Sequence, residues 1–239
     1  MIIIAISLGI IPSLIWLVFF LHEDIHPEPK KAVIKVFIFG ALSALAAIIF
    51  QSIFEGGRPF LKIAEHSIIA FFIFALIEEF LKFSAAYYIM RKNKYFDEPV
   101  DAMIYMITAG LGFAMMENIL VGLNGVLSQG MDGRQILAVI ILRFTGATLL
   151  HALSSAIIGY YWAKSLKCKA DNSACQASHV SHNLIVGIII AALLHGFFNY
   201  LIINYNNIMI IFPMIFLAIM AMFVLWDFEK IKIKLITYD

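Results

Sequence analysis

The residues able to do chemistry stand out because most of the chain cannot. In "FFIFALIEEFLKFSAAYYIM", residues 71–90, Glu78 and Glu79 are adjacent and Lys82 follows one helical turn on. Lys82 lies four residues from Glu78 and three from Glu79, so on a helix it can face either. Further along, "GLGFAMMENIL" carries Glu117 and Asn118, "LLHALSSAIIGYY" carries His151 and Ser155, and "ALLHGFFNYL" carries His195 and Asn199. Carboxylate, imidazole, ammonium and amide together suit acid–base hydrolysis. One carboxylate takes a proton from water, and nearby donors hold the oxyanion that forms. A shared lysine lets two adjacent carboxylates differ in charge, which leaves one poised as the base.

These groups sit where ionisable residues are costly. The chain has 239 residues, of which 62% are apolar and only 14% charged. Its apolar residues fall into seven runs, at 2–21, 32–54, 66–90, 100–122, 136–163, 184–206 and 208–226. About 20 apolar residues span a bilayer, and in lipid the backbone must satisfy its own hydrogen bonds, so runs of this length predict helices. The expected fold class is an all-α polytopic membrane protein, a bundle of about seven transmembrane helices forming one domain over residues 1–239. The first run has no basic segment before it and no small-residue cleavage site after it, so it reads as a retained helix rather than a secretion signal. Lysine and arginine fall unevenly between alternate loops. Twelve (Lys30, Lys31, Lys35, Arg91, Lys92, Lys94, Lys164, Lys167, Lys169, Lys230, Lys232, Lys234) fall on one side, and three (Arg58, Lys62, Arg134) on the other. The positive-inside rule then predicts N-out and C-in, in the cell membrane. The formal net charge of +1 says nothing about partners, and no basic tail or aromatic-basic interleaving suggests nucleic acid.

Helices must bring the polar groups together. Ala147, His151, Ser155 and Gly159 recur at four-residue steps, as do Gly187, Ala191, His195 and Asn199. Stripes of small residues let helices approach closely, so both histidines are expected on packed faces. Counted from the basic ends of their runs, Glu78, His151 and His195 share a depth of roughly 17–18 Å, with Glu117 about one to two turns nearer the other face. Three groups from three helices at one depth predict a single site. Arg143 lies in the outer half of the fifth run.

Two other clusters invite a metal. His22-Glu23-Asp24-Ile25-His26 matches the H-E-x-x-H pattern of zinc peptidases. Pro27 disfavours helical backbone at His26, so the two imidazoles are not expected to share a face. The polar stretch 164–183, read as a cytoplasmic loop, holds Cys168, Cys175, His179 and His182. Their spacing fits no common zinc pattern, and on a reducing side a disulfide is not expected. The stretch 123–135 reads as a loop or a partly re-entrant turn.

Taken together, Glu78-Glu79-x-x-Lys82, Phe113-x-x-x-Glu117-Asn118, His151-x-x-x-Ser155 and His195-x-x-x-Asn199, in this order on successive helices, resemble the PrsW family of intramembrane proteases. The turn ending "HPEP" resembles that family's polar segment after the first helix. The wider group of type II CAAX prenyl proteases (the CPBP group) has a basic residue one position later and a histidine where Glu117 stands. The resemblance implies cleavage of a single-span membrane protein, an anti-sigma factor, as the first cut of a cascade. With it, the expected catalytic residues are Glu78, Glu79, His151, His195 and Asn199, supported by Lys82, Glu117, Asn118 and Ser155. Glu78 would be the base, and His195 with Asn199 would hold the oxyanion. His151 would position water or protonate the leaving group. No cofactor is expected first. A zinc ion held by Glu78, His151, His195 and Glu117 is the alternative. An ion or proton transporter, or a non-catalytic scaffold, would use the same residue types, but broken helices or repeated halves are not evident in the sequence.

Overall fold

The computed structural model describes residues 1–24, 26–170, 177–204 and 211–236, and the described residues contain no β-strand. The helices are α1 (Ile2–Leu21), α2 (Lys30–Gly57), α3 (Ile68–Met90), α4 (Pro99–Leu127), α5 (Gly133–Arg143), α6 (Leu149–Ala170), α7 (Ala177–Asn204) and α8 (Ile211–Ile236). A π-helical turn, Phe144–Thr148, joins α5 to α6, so the fifth apolar run is one rod with a defect in it. Six rods are long and apolar enough to cross a membrane. The seventh, α3, has 23 residues and the length to do so, but Glu78, Glu79 and Lys82 interrupt its apolar character.

Side chains are sorted for lipid. Ile49, Ile53, Phe223 and Met222 point outward and are more than half exposed, as expected where the surrounding solvent is hydrocarbon. The inside belongs to α4. Every residue from Val100 to Ala114 is buried, because α1, α2, α3 and α6 all pack around this helix. Such a helix cannot be amphipathic, and it needs small residues where backbones meet. A Cβ placed on Gly40 would collide with the Ala109 carbonyl, and one on Gly112 with the Phe37 carbonyl. These two glycines set the α2–α4 spacing from opposite sides.

Helix ends carry their own signals. Ser67 caps α3 by accepting from the Ala70 amide at 3.2 Å, and Asp132 and Gln135 form a capping box on α5. The stretch 123–135 is therefore not a re-entrant loop. Helix α4 runs to Leu127, and five residues turn into α5. Likewise the polar stretch 164–183 is mostly helix, with α6 continuing to Ala170 and α7 starting at Ala177. Polar residues end a membrane span without ending the helix, which continues into water. Cys175 and the side chains of Cys168 and His179, and with them the cysteine–histidine cluster, lie outside the described residues; His182 lies on α7.

The H-E-x-x-H pattern resolves as a turn. Helix α1 ends at Leu21, with His22 as its C-cap. His22 donates from Nδ1 to the Val18 carbonyl at 2.6 Å, while the His26 ring turns to Glu98 at 2.7 Å. The two imidazoles serve different partners. Asp24 is buried in this turn and accepts the His26 amide at 3.1 Å. Burial pushes the Asp24 and Glu28 carboxyls above their ordinary range.

Candidate active site

Helix α3 supplies three buried polar side chains. Glu79 and Lys82 are fully buried, and Glu78 is 7% exposed. Glu79 is the hub. Its Oε1 accepts from Lys82 Nζ at 2.8 Å, from Ser154 Oγ at 2.9 Å and from His195 Nδ1 at 2.7 Å. Three donors on one carboxylate oxygen make it a fixed anion that orients its neighbours.

The partners assign the imidazole protons. A lysine ammonium only donates, so Lys82 Nζ donates to His151 Nδ1 at 2.7 Å. His151 then carries its proton on Nε2 and donates to Glu117 Oε2 at 2.9 Å. His195 donates from Nδ1 to Glu79, which leaves the Nε2 lone pair facing Glu78 Oε2 at 3.6 Å. Glu78 Oε2 is buried without a hydrogen-bond partner, while Glu78 Oε1 accepts from Gln51 Nε2 at 2.8 Å. The two rings pack edge to face, with centroids 5.0 Å apart.

Glu117 is anchored from the other side. Arg143 Nη2 donates to Glu117 Oε2 at 2.6 Å, and Arg143 Nε donates to Asn118 Oδ1 at 2.6 Å. Asn118 in turn donates to Thr148 at 2.9 Å. Arg143 and His151 are eight residues apart in one rod. On a continuous α-helix that separation turns through two full turns and about 80° more. The π turn between them adds about one residue per turn and removes most of this excess, so both side chains reach Glu117. Trp16 Nε1 donates to the Phe144 carbonyl at 2.9 Å, giving a partner to a backbone group at the start of the turn.

The structure thus brings Glu78, Glu79, Lys82, Glu117, His151 and His195 into one chain of contacts. The depth offset expected for Glu117 is bridged by its own side chain and that of His151. Asn118 sits beside this chain, on Arg143. Asn199, one turn from His195, lines a cavity that also reaches Glu78. Ser155 does not join. Its Oγ is buried against Gly110 without a hydrogen bond, and the neighbouring Ser154 makes the contact to Glu79 instead. Sequence reasoning also left Gln51 and Arg143 out of the site. Their signal was present, as a lone amide in "ALAAIIFQSIF" and a lone guanidinium in "AVIILRFTG".

A metal is a fair question for such a donor set. Glu78, His151 and His195 each offer one atom, and the three atoms lie within 4.8 Å of one another, all buried. Oxygen and nitrogen donors of this kind fit zinc, and the Glu79 contact on His195 is the outer carboxylate that zinc-bound histidines commonly have.

The fold and this cluster define a class: a polytopic membrane protein with carboxylate, imidazole and ammonium groups clustered and buried among its helices. More particularly, the chain belongs to the PrsW family of intramembrane metalloproteases, whose family model matches residues 28–226. It is similar to the Protease PrsW of Oceanobacillus iheyensis, with 29% identity over 223 residues covering 91% of this chain and 92% of that one. The Protease PrsW of Geobacillus kaustophilus is 32% identical over 161 residues, covering 67% and 66%. That of Bacillus subtilis is 26% identical over 234 residues, covering 96% and 94%. No solved structure is significantly similar.

Proposed function

We propose that the chain hydrolyses a peptide bond in a membrane-anchored protein, an anti-sigma factor in keeping with the family, with Glu78 activating the attacking water. The observation that carries this is the position of Glu78. Alone among the six clustered ionisable side chains of α3, α4, α6 and α7, it lines both cavities that reach the cluster, and its Oε2 is buried without a hydrogen-bond partner. Glu78 Oε2 and His195 Nε2 are two acceptors facing each other across 3.6 Å, and a water beside them would donate to both.

In this mechanism Glu78 takes a proton from that water as it attacks the carbonyl carbon. Asn199, on the wall of the larger cavity with Arg143, donates to the developing oxyanion. The proton on Glu78 passes to the departing amine. Glu79 holds His195 through Nδ1, so the Nε2 lone pair stays turned toward the water. His151 lines neither cavity. Its part is to connect Glu117 to Lys82 and keep the Lys82 ammonium directed at Glu79. With N-out orientation, the cut falls in the half of the bilayer nearer the outer face.

The second reading is a zinc site, favoured by the close approach of the three donors. Glu78, His151 and His195 would hold the ion, which would supply Lewis-acid activation of water. His151 would then have to release one of its present partners, Lys82 at Nδ1 or Glu117 at Nε2, to free a nitrogen for the ion. The decisive experiment is cleavage of a single-span substrate in liposomes after exhaustive chelation. Retained cleavage, lost in Glu78→Gln, supports the metal-free reading. Loss restored by zinc supports the second. Full cleavage by both Glu78→Gln and His195→Ala refutes the site.

A further inference from the structure

Glu78 is reached from two sides. A cavity of about 310 Å³ lies between α2, α4 and α5, walled by Ile48, Leu120, Val121 and Val139, with Asn124 and Gln129 among its polar lining. A second, of about 530 Å³, lies between α3, the π turn, α7 and α8, walled by Phe71, Phe74, Leu201 and Met214, with Asn199 and Thr145. Two residues line both: Gln51 and Glu78. A third and more open cavity, of about 640 Å³, also ends on Gln51 and is rimmed by Glu55, Glu65 and His66 at the α2–α3 end of the bundle. The hydrogen-bonded pair Gln51–Glu78 is therefore the meeting point of the accessible space in this part of the protein.

An acyl chain would satisfy the apolar walls but not the amides set among them. A polypeptide satisfies both. Its side chains take the walls, and its peptide groups need hydrogen-bond partners at this depth. In extended form its successive side chains point to opposite sides, which suits two cavities divided by one pair of residues. Gln51 donates to Glu78 Oε1, which holds Oε2 on the histidine side and leaves the glutamine carbonyl as an acceptor for a peptide N–H.

We propose that the scissile segment binds unwound across the Gln51–Glu78 pair, with one flank in each cavity, and that Gln51 is the residue that positions Glu78. The ligand is an uncharged, apolar peptide segment, and each cavity sets the size limit on its own side of the bond. This rests on the reading of Glu78 as the base.

The test uses the full chain in liposomes with a single-span substrate varied at the positions flanking the cut. Wild type should accept Ala, Leu and Phe on both flanks, and cleave at least about tenfold more slowly with Asp or Lys there, since a charge in an apolar site costs more than 1.4 kcal/mol. Val139→Phe narrows the smaller cavity and Leu201→Trp the larger. Each should discriminate against Phe relative to Ala at least fivefold on one flank only, the two on opposite flanks, with the denaturant midpoint in detergent micelles reporting an intact fold. Gln51→Leu should lower kcat by about 100-fold, as for a displaced catalytic group, a larger change than the rise in KM from the lost acceptor. Equal slowing of every substrate, or both cavity variants acting on the same flank, overturns the proposal while leaving the hydrolase reading in place. A wild type that cuts none of the substrates overturns both.

Discussion

Replacing Glu79 by glutamine removes a charge without removing a shape. The amide oxygen can still accept from Lys82, Ser154 and His195, and the new amino group takes the place of Oε2, which is buried and has no hydrogen-bond partner. What is lost is the counter-charge of Lys82, a side chain with no exposed surface. The next nearest carboxylate oxygen is Glu78 Oε2, at 3.9 Å. Breaking one side of a fully buried ion pair costs about 3–5 kcal/mol. Lys82→Met should cost a similar amount, because it leaves the Glu79 charge uncompensated and His151 Nδ1 without its donor. The double variant has neither charge, and retains only the cost of the unsatisfied imidazole nitrogen, about 1–3 kcal/mol. The sum of the single effects should therefore exceed the double effect by at least about 2 kcal/mol. Unfolding in detergent micelles, followed by tryptophan fluorescence across a denaturant series, measures all four proteins. Additive losses would refute the ion-pair account and make Glu79 a packing residue. Peptidase activity should stay absent in the double variant, since stability returns without the anion that orients His195.

Other outcomes follow from the same geometry. Arg143→Gln should reduce turnover by about 10–100-fold, in the manner of outer partners of an active site, because Glu117 loses its anchor; a rate equal to wild type would show that Glu117 is held by His151 alone. Gly112→Ala should destabilise by about 1–3 kcal/mol through overpacking against α2, without moving KM, as read from denaturant midpoints and kinetics together. Asp24 and Glu28 are raised by burial above their ordinary values of 3.8 and 4.5. Raised carboxyls bind protons more tightly when folded, so stability should fall as pH rises from those values through the raised ones, and Asp24→Asn should flatten that part of a melting-temperature profile.

The sequence made the seven-rod class and the meeting of three helices legible for a physical reason. Apolar length and costly ionisable groups are signals that lipid amplifies. It was less informative where one residue of register decides. Ser154 and Ser155 are equivalent by composition, and only the direction of the α6 face shows that the first reaches Glu79 while the second packs on Gly110. The π turn is similarly hidden, because a single added residue leaves the apolar run intact while rotating Arg143 toward Glu117. Gln51 was visible as a polar residue in lipid, but its partner lies on another helix, and sequence spacing carries no distance between helices. The H-E-x-x-H pattern was legible for a local reason. Pro27 already argued against a shared helix face, and α1 ends at Leu21 with His22 as its C-cap.

The three ionisable groups of α3 have a consequence for how the protein is made. On an insertion scale, three charges near a helix centre cost roughly 8–10 kcal/mol, while the dozen Leu, Ile and Phe residues of this helix return roughly 4–7. Entering the membrane alone, α3 would be rejected. It must wait at the translocon until neighbours arrive that can absorb its charges, and His151, Ser154 and His195, which contact them, are all synthesised later. Biogenesis of this membrane protein is therefore coupled to assembly of its buried polar cluster, and variants that weaken the network should accumulate in the membrane to a lower level than wild type.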